Sequence, residues 1–283
     1  MTTCAPQILS EFHSTFVTSG PNRGGAYDCP MVGTLVLLRH GQSTWNALNL
    51  FTGWHDVPLT DQGVTEAKAA GQVMREAGLR FGAVHTSLLQ RAIETNRLAL
   101  EALGQPDAPI RRSWRLNERH YGALQGLDKK ATAERHGPEQ TLLWRRSFDV
   151  PPPPVDPTSP EHPLNDPTYQ QLVREGLDPA LLPATECLKD VLERVLPYWN
   201  EAIVPQLRSG TNVLVTAHGN SLRALIMHLE SMGTEEIVDF NMPTGVPRLY
   251  EFDDAMKVRS VKFLGDQEAI AKAAEAVARQ AGH

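Results

Sequence analysis

Two histidines, each trailing a short apolar run and each followed by glycine, carry the most chemistry in this chain. Thr34-Leu35-Val36-Leu37-Leu38 ends in Arg39-His40-Gly41-Gln42-Ser43-Thr44-Trp45-Asn46, and Val213-Leu214-Val215-Thr216-Ala217 ends in His218-Gly219-Asn220-Ser221. Neutral imidazole is a nucleophile near pH 7, and a phosphoryl group can be attached to its nitrogen and removed again. Phosphoryl transfer otherwise needs positioned positive charge around the equatorial oxygens. Arg39, Arg91 and His218 can supply that charge, which makes His40 the expected nucleophile. Glycine at 41 and 219 would let backbone N–H groups approach an anion where a helix begins. A lone Arg-His-Gly reads as a loop-capping histidine beside a solvated arginine. Its recurrence as His-Gly after a second apolar run argues for one shared pocket.

A group that trades protons with the reacting oxygens is also needed, and such transfer is worth about 10²–10⁴-fold. Glu118, within Leu116-Asn117-Glu118-Arg119-His120-Tyr121-Gly122, is the candidate. The plainer reading is an ion-pair partner for Arg115 or Arg119. Lys129 and Arg145-Arg146 stand just ahead of a proline-rich stretch and are candidate clamps for a second anionic group. His40, Glu118, His120 and His218 could bind a metal in principle. No pair of them shares an element at ligand spacing, and Arg39 beside His40 would repel a cation, so no metal is expected.

These residues must be placed by a scaffold, and the hydrophobic pattern describes one. Short apolar runs alternating with 3.6-period segments predict an α/β fold of three layers, a mostly parallel sheet flanked by helices. Strands are expected near 34–38, 82–86, 110–113 and 212–216. Leu249-Tyr250-Glu251-Phe252 and Val258 to Phe263 read as a late hairpin at a sheet edge. Helices are expected near 60–78, 88–103, 128–136, 185–207 and 220–231. In such a sheet, polar residues that follow a strand lie in the crevice beyond its carboxyl end. The two imidazoles would therefore stand side by side if their strands are neighbours. Ala83-Val84-His85-Thr86-Ser87 would bring a third strand end and the helix bearing Arg91 to the same crevice. Thr60 is a plausible N-cap. Pro197 and Pro205 should kink or divide the helix near 185–207. Eight prolines within 150–168 predict a loop excursion without regular structure.

The chain has 283 residues, 41% of them hydrophobic, enough for a full core. Its formal net charge of -6 gives no global basic field for nucleic acid, so no nucleic-acid partner is expected. A basic cluster inside an acidic chain suits a small anionic ligand instead. The three cysteines, Cys4, Cys29 and Cys187, lack disulfide or metal spacing and suit a reducing cytoplasm. No apolar run is long enough to span a bilayer, and no membrane partner is expected. Residues 1–30 show neither helical nor strand periodicity and lack the basic start and apolar stretch of a secretory signal. They read as an extension, disordered or upstream of a true start at Met31. Glu268 to Gln280 is Ala-rich, with Ile270, Ala274 and Val277 on one helical face. It is expected to be a frayed surface helix or a mobile cover for the site.

The motifs resemble the histidine phosphatase superfamily, whose mark is the Arg-His-Gly loop, and more closely its cofactor-dependent phosphoglycerate mutases. The likeness runs through Arg39 to Asn46, Phe51-Thr52-Gly53-Trp54, and Thr86-Ser87-Leu88-Leu89-Gln90-Arg91-Ala92. It continues through Asn117 to Gly126, Trp144-Arg145-Arg146, Ala217 to Arg223 and Pro243-Thr244-Gly245-Val246-Pro247, covering about residues 31–280. The Arg-His-Gly loop specifies only the superfamily, whereas Asn-Glu-Arg-His-Tyr-Gly with Trp-Arg-Arg is far more specific. One departure is Gln42, where the family usually has glutamate; that position is expected to tune the loop.

The resemblance implies interconversion of 2- and 3-phosphoglycerate, primed by 2,3-bisphosphoglycerate, with no metal. His40 would carry the phosphoryl group, and Glu118 would donate and accept the proton. Arg39, Arg91 and His218 would bind the transferring phosphate. Ser43, Asn46, Thr52, Gly53, Tyr121, Lys129, Arg145, Arg146, Gly219 and Asn220 would line the substrate site. The domain plan is then an extension over 1–30, a phosphoglycerate mutase-like catalytic domain over 31–264, and a helical tail over 265–283 that could serve as a lid. Partners would be small-molecule phosphoglycerates, in a chain that could form a homodimer or homotetramer. A phosphatase with the same His40 intermediate and water as acceptor is the nearest rival. Lys129, Arg145 and Arg146 favour a mutase, because a bisphosphate needs charge at both ends. A noncatalytic scaffold on this fold would be favoured by loss of His40 or Glu118, and both are present.

Overall fold

Alternation along the strands decides how the layers stack. The computed structural model describes residues 32–280, and the expected extension over 1–30 lies outside the described residues. Its strands are β1 (Leu35–Arg39), β2 (Ala83–Thr86), β3 (Ile110–Arg112), β4 (Val213–Ala217), β5 (Pro247–Phe252) and β6 (Val258–Phe263). They form one sheet in the order β3-β2-β4-β1-β5-β6. The first four in that order run parallel; β5 is antiparallel to β1, and β6 to β5. Leu35, Leu37, Val213 and Val215 face one apolar layer, while Val36, Leu38, Val84 and Leu214 face the other. All eight side chains are essentially removed from water. Each stabilises the fold by about 1.5–3 kcal/mol, which pins the sheet between its two covers.

The helices follow in chain order. α1 (Thr44–Ala47) is one turn after β1, and α2 (Asp61–Glu76) and α3 (Gln90–Leu103) cover the Val36 face. α4 (Lys129–His136), α5 (Pro138–Arg146) and α6 (Pro167–Arg174) belong to the excursion between β3 and β4. α7 (Leu188–Tyr198), α8 (Val204–Arg208) and α9 (Gly219–Glu230) cover the Leu35 face, followed by the short α10 (Glu236–Asp239) and the terminal α11 (Gln267–Gln280). The expected three-layer α/β architecture is the one observed. Thr60 caps α2 as expected, its hydroxyl accepting the Gly63 N–H at 3.1 Å. The helix expected over 185–207 is divided by a π-helical turn, Trp199–Ile203, between Pro197 and Pro205.

Proline accounts for the main departures from the expected elements. α5 and α6 were not anticipated, and the 150–168 excursion contains a 3₁₀ turn, Pro163–Asn165, where no regular element was expected. Each of these elements begins with its proline. The first helical residue has no partner for its N–H, so proline costs nothing there and its fixed φ suits the helix. The prolines start turns here instead of only breaking them.

The register of the parallel strands matters most for function. Arg39 lies beside Ala217, and Thr86 beside Thr216. The next residues, His40, His218 and Ser87, therefore leave the sheet together at one end.

Candidate active site

The strand register produces the imidazole pair directly. His40 and His218 have ring centroids 4.9 Å apart, with planes tilted by 58°. Both are buried. His40 Nδ1 lies 2.7 Å from the Gly41 carbonyl oxygen, which can only accept, so Nδ1 carries the proton. In the neutral ring the lone pair is then on Nε2. Burial, then the charges of Arg91 and Arg39, hold the His40 pKa well below the usual value and keep the ring neutral. His218 is lowered well below its usual value by burial and by Arg91. Its Nε2 meets Ser87 Oγ at 2.7 Å, and Ser87 Oγ accepts the Leu89 N–H at 3.2 Å. If the serine proton is donated to Nε2, His218 Nδ1 is left as a buried N–H with no partner among the described residues.

The arginines converge on this pair from different elements. Arg39, the last residue of β1, donates Nη1 to the Met242 carbonyl at 2.8 Å. Arg91, in the first turn of α3, donates to the Gly53 carbonyl at 2.7 Å and the His55 carbonyl at 3.0 Å. The Nε groups of both are buried without a partner among the described residues. Burial lowers both pKa values, Arg91's to about 10, so Arg91 keeps its charge near neutral pH. Charged donors with unused N–H groups beside two neutral imidazoles make an anion cradle.

Glu118 is anchored by one oxygen. Its Oε1 accepts backbone N–H groups from Arg119 at 2.7 Å and Asn220 at 3.1 Å. The second of these belongs to the start of α9, where the helix dipole favours a carboxylate. Oε2 accepts no such backbone N–H and lies beside Gly219, 3.6 Å from where a Cβ there would sit. Asn220 also donates Nδ2 to Tyr121 Oη at 3.2 Å, and Arg119 stacks over the Tyr121 ring at 4.6 Å. Burial raises the Tyr121 pKa, but Arg119 and Arg145 outweigh it and the net shift is downward.

These groups share one cavity that opens to solvent. Asn46, Thr52, Gly53, Tyr121, Gly219 and Asn220 line it. Lys129, Arg145 and Arg146 line it as well. Arg146 is fixed by Asn241 Oδ1 at 2.6 Å. Burial, then Arg145 and Arg39, push the Lys129 pKa down to about 7, and burial pushes Arg145 to about 10. The excess of cations over the carboxylate of Glu118 suits a ligand with more than one anionic group.

Several residues take places that the sequence did not indicate. Ser43 is fully buried and does not line the cavity; its hydroxyl caps α1 and donates to Asn46 Oδ1 at 2.9 Å. The Gly41 N–H donates to Thr95 Oγ1 at 3.0 Å instead of facing an anion. A Cβ there would sit 2.3 Å from the Gly63 carbonyl, so glycine is required by contact with α2. Gln42 Oε1 accepts from the Thr60 hydroxyl at 2.9 Å, tying the loop to the cap of α2. Leu50 and Arg223 line the cavity without having been singled out for it, and Val277, on the apolar face of the expected tail helix, lines it as well. Arg223 donates to Asn220 Oδ1 at 2.9 Å, and burial pushes its pKa to about 9. The spacing from Asn220 to Arg223 places both on one helical face, a signal that was available. Among the described residues no cluster of His, Cys, Asp and Glu has the makings of a metal site, and no helix is long and apolar enough to cross a membrane.

Comparison with known proteins adds an independent line. The model of a family described as the histidine phosphatase superfamily (branch 1) matches residues 35–163 and 156–261. A protein of Xylella fastidiosa (strain M12), named 2,3-bisphosphoglycerate-dependent phosphoglycerate mutase, is 56% identical over 250 residues, covering 88% of this chain and 98% of that protein. The crystal structure of phosphoglycerate mutase from Bacillus anthracis str. Sterne is similar with a TM-score of 0.58 at 24% identity, covering 87% of this chain and 98% of that one. The alpha-ribazole phosphatase from Shigella flexneri gives 0.60 at 20% identity, covering 82% and 96%. The two solved structures speak to the fold alone, and the fold alone does not choose between transfer and hydrolysis.

Proposed function

The chain belongs to the histidine phosphatase superfamily, and on that premise we propose that it interconverts 2- and 3-phosphoglycerate by phosphoryl transfer through His40, primed by 2,3-bisphosphoglycerate. The observation that carries this reading over hydrolysis is the second set of cations. Lys129, Arg145 and Arg146 share the cavity with Arg39 and Arg91, more charge than one phosphate requires. A bisphosphorylated acid fits that wall, and the buried Nε groups of Arg39 and Arg91 suit its oxygens. When bound, 2,3-bisphosphoglycerate supplies the phosphoryl group that primes His40.

The residues then divide the work. His40 presents Nε2, because Nδ1 is committed to the Gly41 carbonyl. Arg39, Arg91 and His218 hold the equatorial oxygens and offset the developing charge. Glu118 keeps Oε1 on two backbone N–H groups and uses Oε2 to give and take the proton of the acceptor hydroxyl. Asn46, Thr52, Gly53, Tyr121, Gly219 and Asn220 shape the remaining wall, and Ser43 acts through Asn46 by capping α1.

Transfer also requires that water be kept from the phosphorylated imidazole. α11 brings Val277 to the cavity, and Ile270 anchors the helix at the base. We assign residues 31–264 to the catalytic domain and 265–283 to a lid. The test is a coupled assay with 3-phosphoglycerate in a strong chelator, on the full chain and on a chain ended after Gly265. The full chain should turn over, and faster with added bisphosphoglycerate. The shortened chain, whose core strands end at Phe263, should lose mutase turnover and gain hydrolysis relative to transfer. Activity that chelation abolishes and manganese restores would reject the reading. An unchanged ratio would make α11 a surface helix only.

Lys129 gives a second expected result. With its pKa pushed to about 7 by burial and by Arg145 and Arg39, it is largely neutral at pH 8 in the free protein. An anion placed between Lys129 and Arg145 raises that pKa, so binding takes up a proton. Phosphate, with a second pKa of about 6, is already fully ionised there and contributes none. The enthalpy of 3-phosphoglycerate binding at pH 8 should therefore vary with buffer ionisation enthalpy, reporting uptake approaching about one proton. Lys129→Met should remove that dependence.

A further inference from the structure

The proline-rich excursion delivers a carboxylate to the back of the active-site wall. Glu161 Oε1 and Oε2 each lie 3.1 Å from His55 Nδ1, and Oε2 also accepts from Gln125 Nε2 at 3.3 Å. Carboxylate oxygens only accept here, so Nδ1 carries a proton and donates. The His55 ring lies flat on Trp45, centroids 4.1 Å apart and planes 7° from parallel. Trp45 precedes Asn46, which lines the cavity. Gln125 in turn accepts the Trp54 N–H on Oε1 at 2.7 Å. Glu161 thus grips two of the side chains that fix the segment Gly53-Trp54-His55, a third being the Trp54 indole, which donates to the Glu118 carbonyl.

That segment seats Arg91. The carbonyls of Gly53 and His55 receive its two terminal nitrogens, and its Nε has no partner among the described residues. The direction of the guanidinium is therefore set by two backbone oxygens. The segment carrying them belongs to no strand or helix and turns through Gly53 at φ +55°. We propose that Glu161 is a positioning residue: through His55 and Gln125 it holds the 53–55 segment, and so aims Arg91 at the transferring phosphate. The inference rests on the phosphate-binding role of Arg91 in the function proposed above. It also gives the proline-rich excursion a task, which is to hold this carboxylate against His55 and Gln125.

Orthovanadate, a phosphate-like anion, reads the Arg91 seat without needing turnover. Glu161→Ala should weaken orthovanadate binding about fivefold, the size expected of a half-exposed pair. kcat of the mutase reaction should fall by a similar factor, with KM for 3-phosphoglycerate and the thermal midpoint nearly unchanged. His55→Phe, which keeps the stack on Trp45 and removes the donor, should do the same. The two together should cost no more than either alone. In an Arg91→Ala background Glu161→Ala should change nothing further. A loss that persists in that background, or no loss in the first place, overturns the proposal. Orthovanadate binding by a chain that fails to turn over phosphoglycerate would instead reject the mutase reading and leave this one standing.

Discussion

Replacing His40 by alanine should leave a folded protein that takes no phosphoryl label from 2,3-bisphosphoglycerate and turns over at least about 10⁵-fold more slowly, the scale seen when a covalent nucleophile is removed. The expectation follows from the ring's neutrality and from the free Nε2 that the Gly41 contact enforces. The wild-type label should be labile to acid and stable to alkali, as a phosphoramidate bond is. His218→Ala should behave differently. It removes a donor beside the phosphate and leaves the nucleophile, so the protein should still be labelled, slowly. Label surviving in the His40 variant would overturn the assignment, and equal loss in both variants would show that the two imidazoles cannot be separated. Circular dichroism on each variant guards against unfolding.

The parts of this site that were legible in the sequence are those encoded locally. A strand that ends in His-Gly is visible from the apolar run before it, and both handovers lie at the sheet end that the pattern implies. Their adjacency was conditional, because β1 and β4 are separated by most of the chain and no local signal states that they pair. α5 and α6 were illegible because their first-turn prolines read as breakers. Ser43 illustrates a different limit. A serine next to a phosphate loop suits either an anion or a helix cap, and only the backbone path decides for the cap. Val277 lines the cavity from the far end of the chain, and an Ala-rich amphipathic face does not say what it covers.

The framework around Glu118 was the least legible part, since it is built from partners scattered along the chain. Arg194 donates to the carbonyls of Arg115 at 2.6 Å, Asn117 at 3.0 Å and Glu118 at 2.9 Å. It also forks onto Glu186, with Nε at 2.5 Å and Nη2 at 3.0 Å. Glu186 accepts the His120 N–H at 2.8 Å. Every residue from Asn117 to His120 is thereby fastened, directly or through its neighbour, to one buried ion pair. In sequence Glu186 and Arg194 look like charges on an amphipathic helix and its approach.

Arg194→Met separates what that pair does for stability from what it does for catalysis. The substitution strands the Glu186 carboxylate in the interior, which should cost about 3–5 kcal/mol of stability. Adding Glu186→Leu removes the stranded charge and should recover much of that loss, because a buried pair replaced by apolar groups is often nearly neutral. The recovery should be incomplete, since the carbonyls of Arg115 and Asn117 remain without their donor, each at about 1–3 kcal/mol if left unsatisfied, whereas the Glu118 carbonyl keeps the Trp54 indole N–H. Turnover should respond differently. Glu118 is aimed by the backbone that Arg194 holds, and a displacement of about 1 Å at a proton-transfer group is enough for roughly a 100-fold loss. Both the single and the double variant should therefore show that loss in kcat, although their denaturation midpoints differ. Labelling of His40 by bisphosphoglycerate should suffer as well, because that step also protonates the departing oxygen. If kcat returns to the wild-type level in the double variant, stability alone explains the effect, and Arg194 has no part in aiming Glu118.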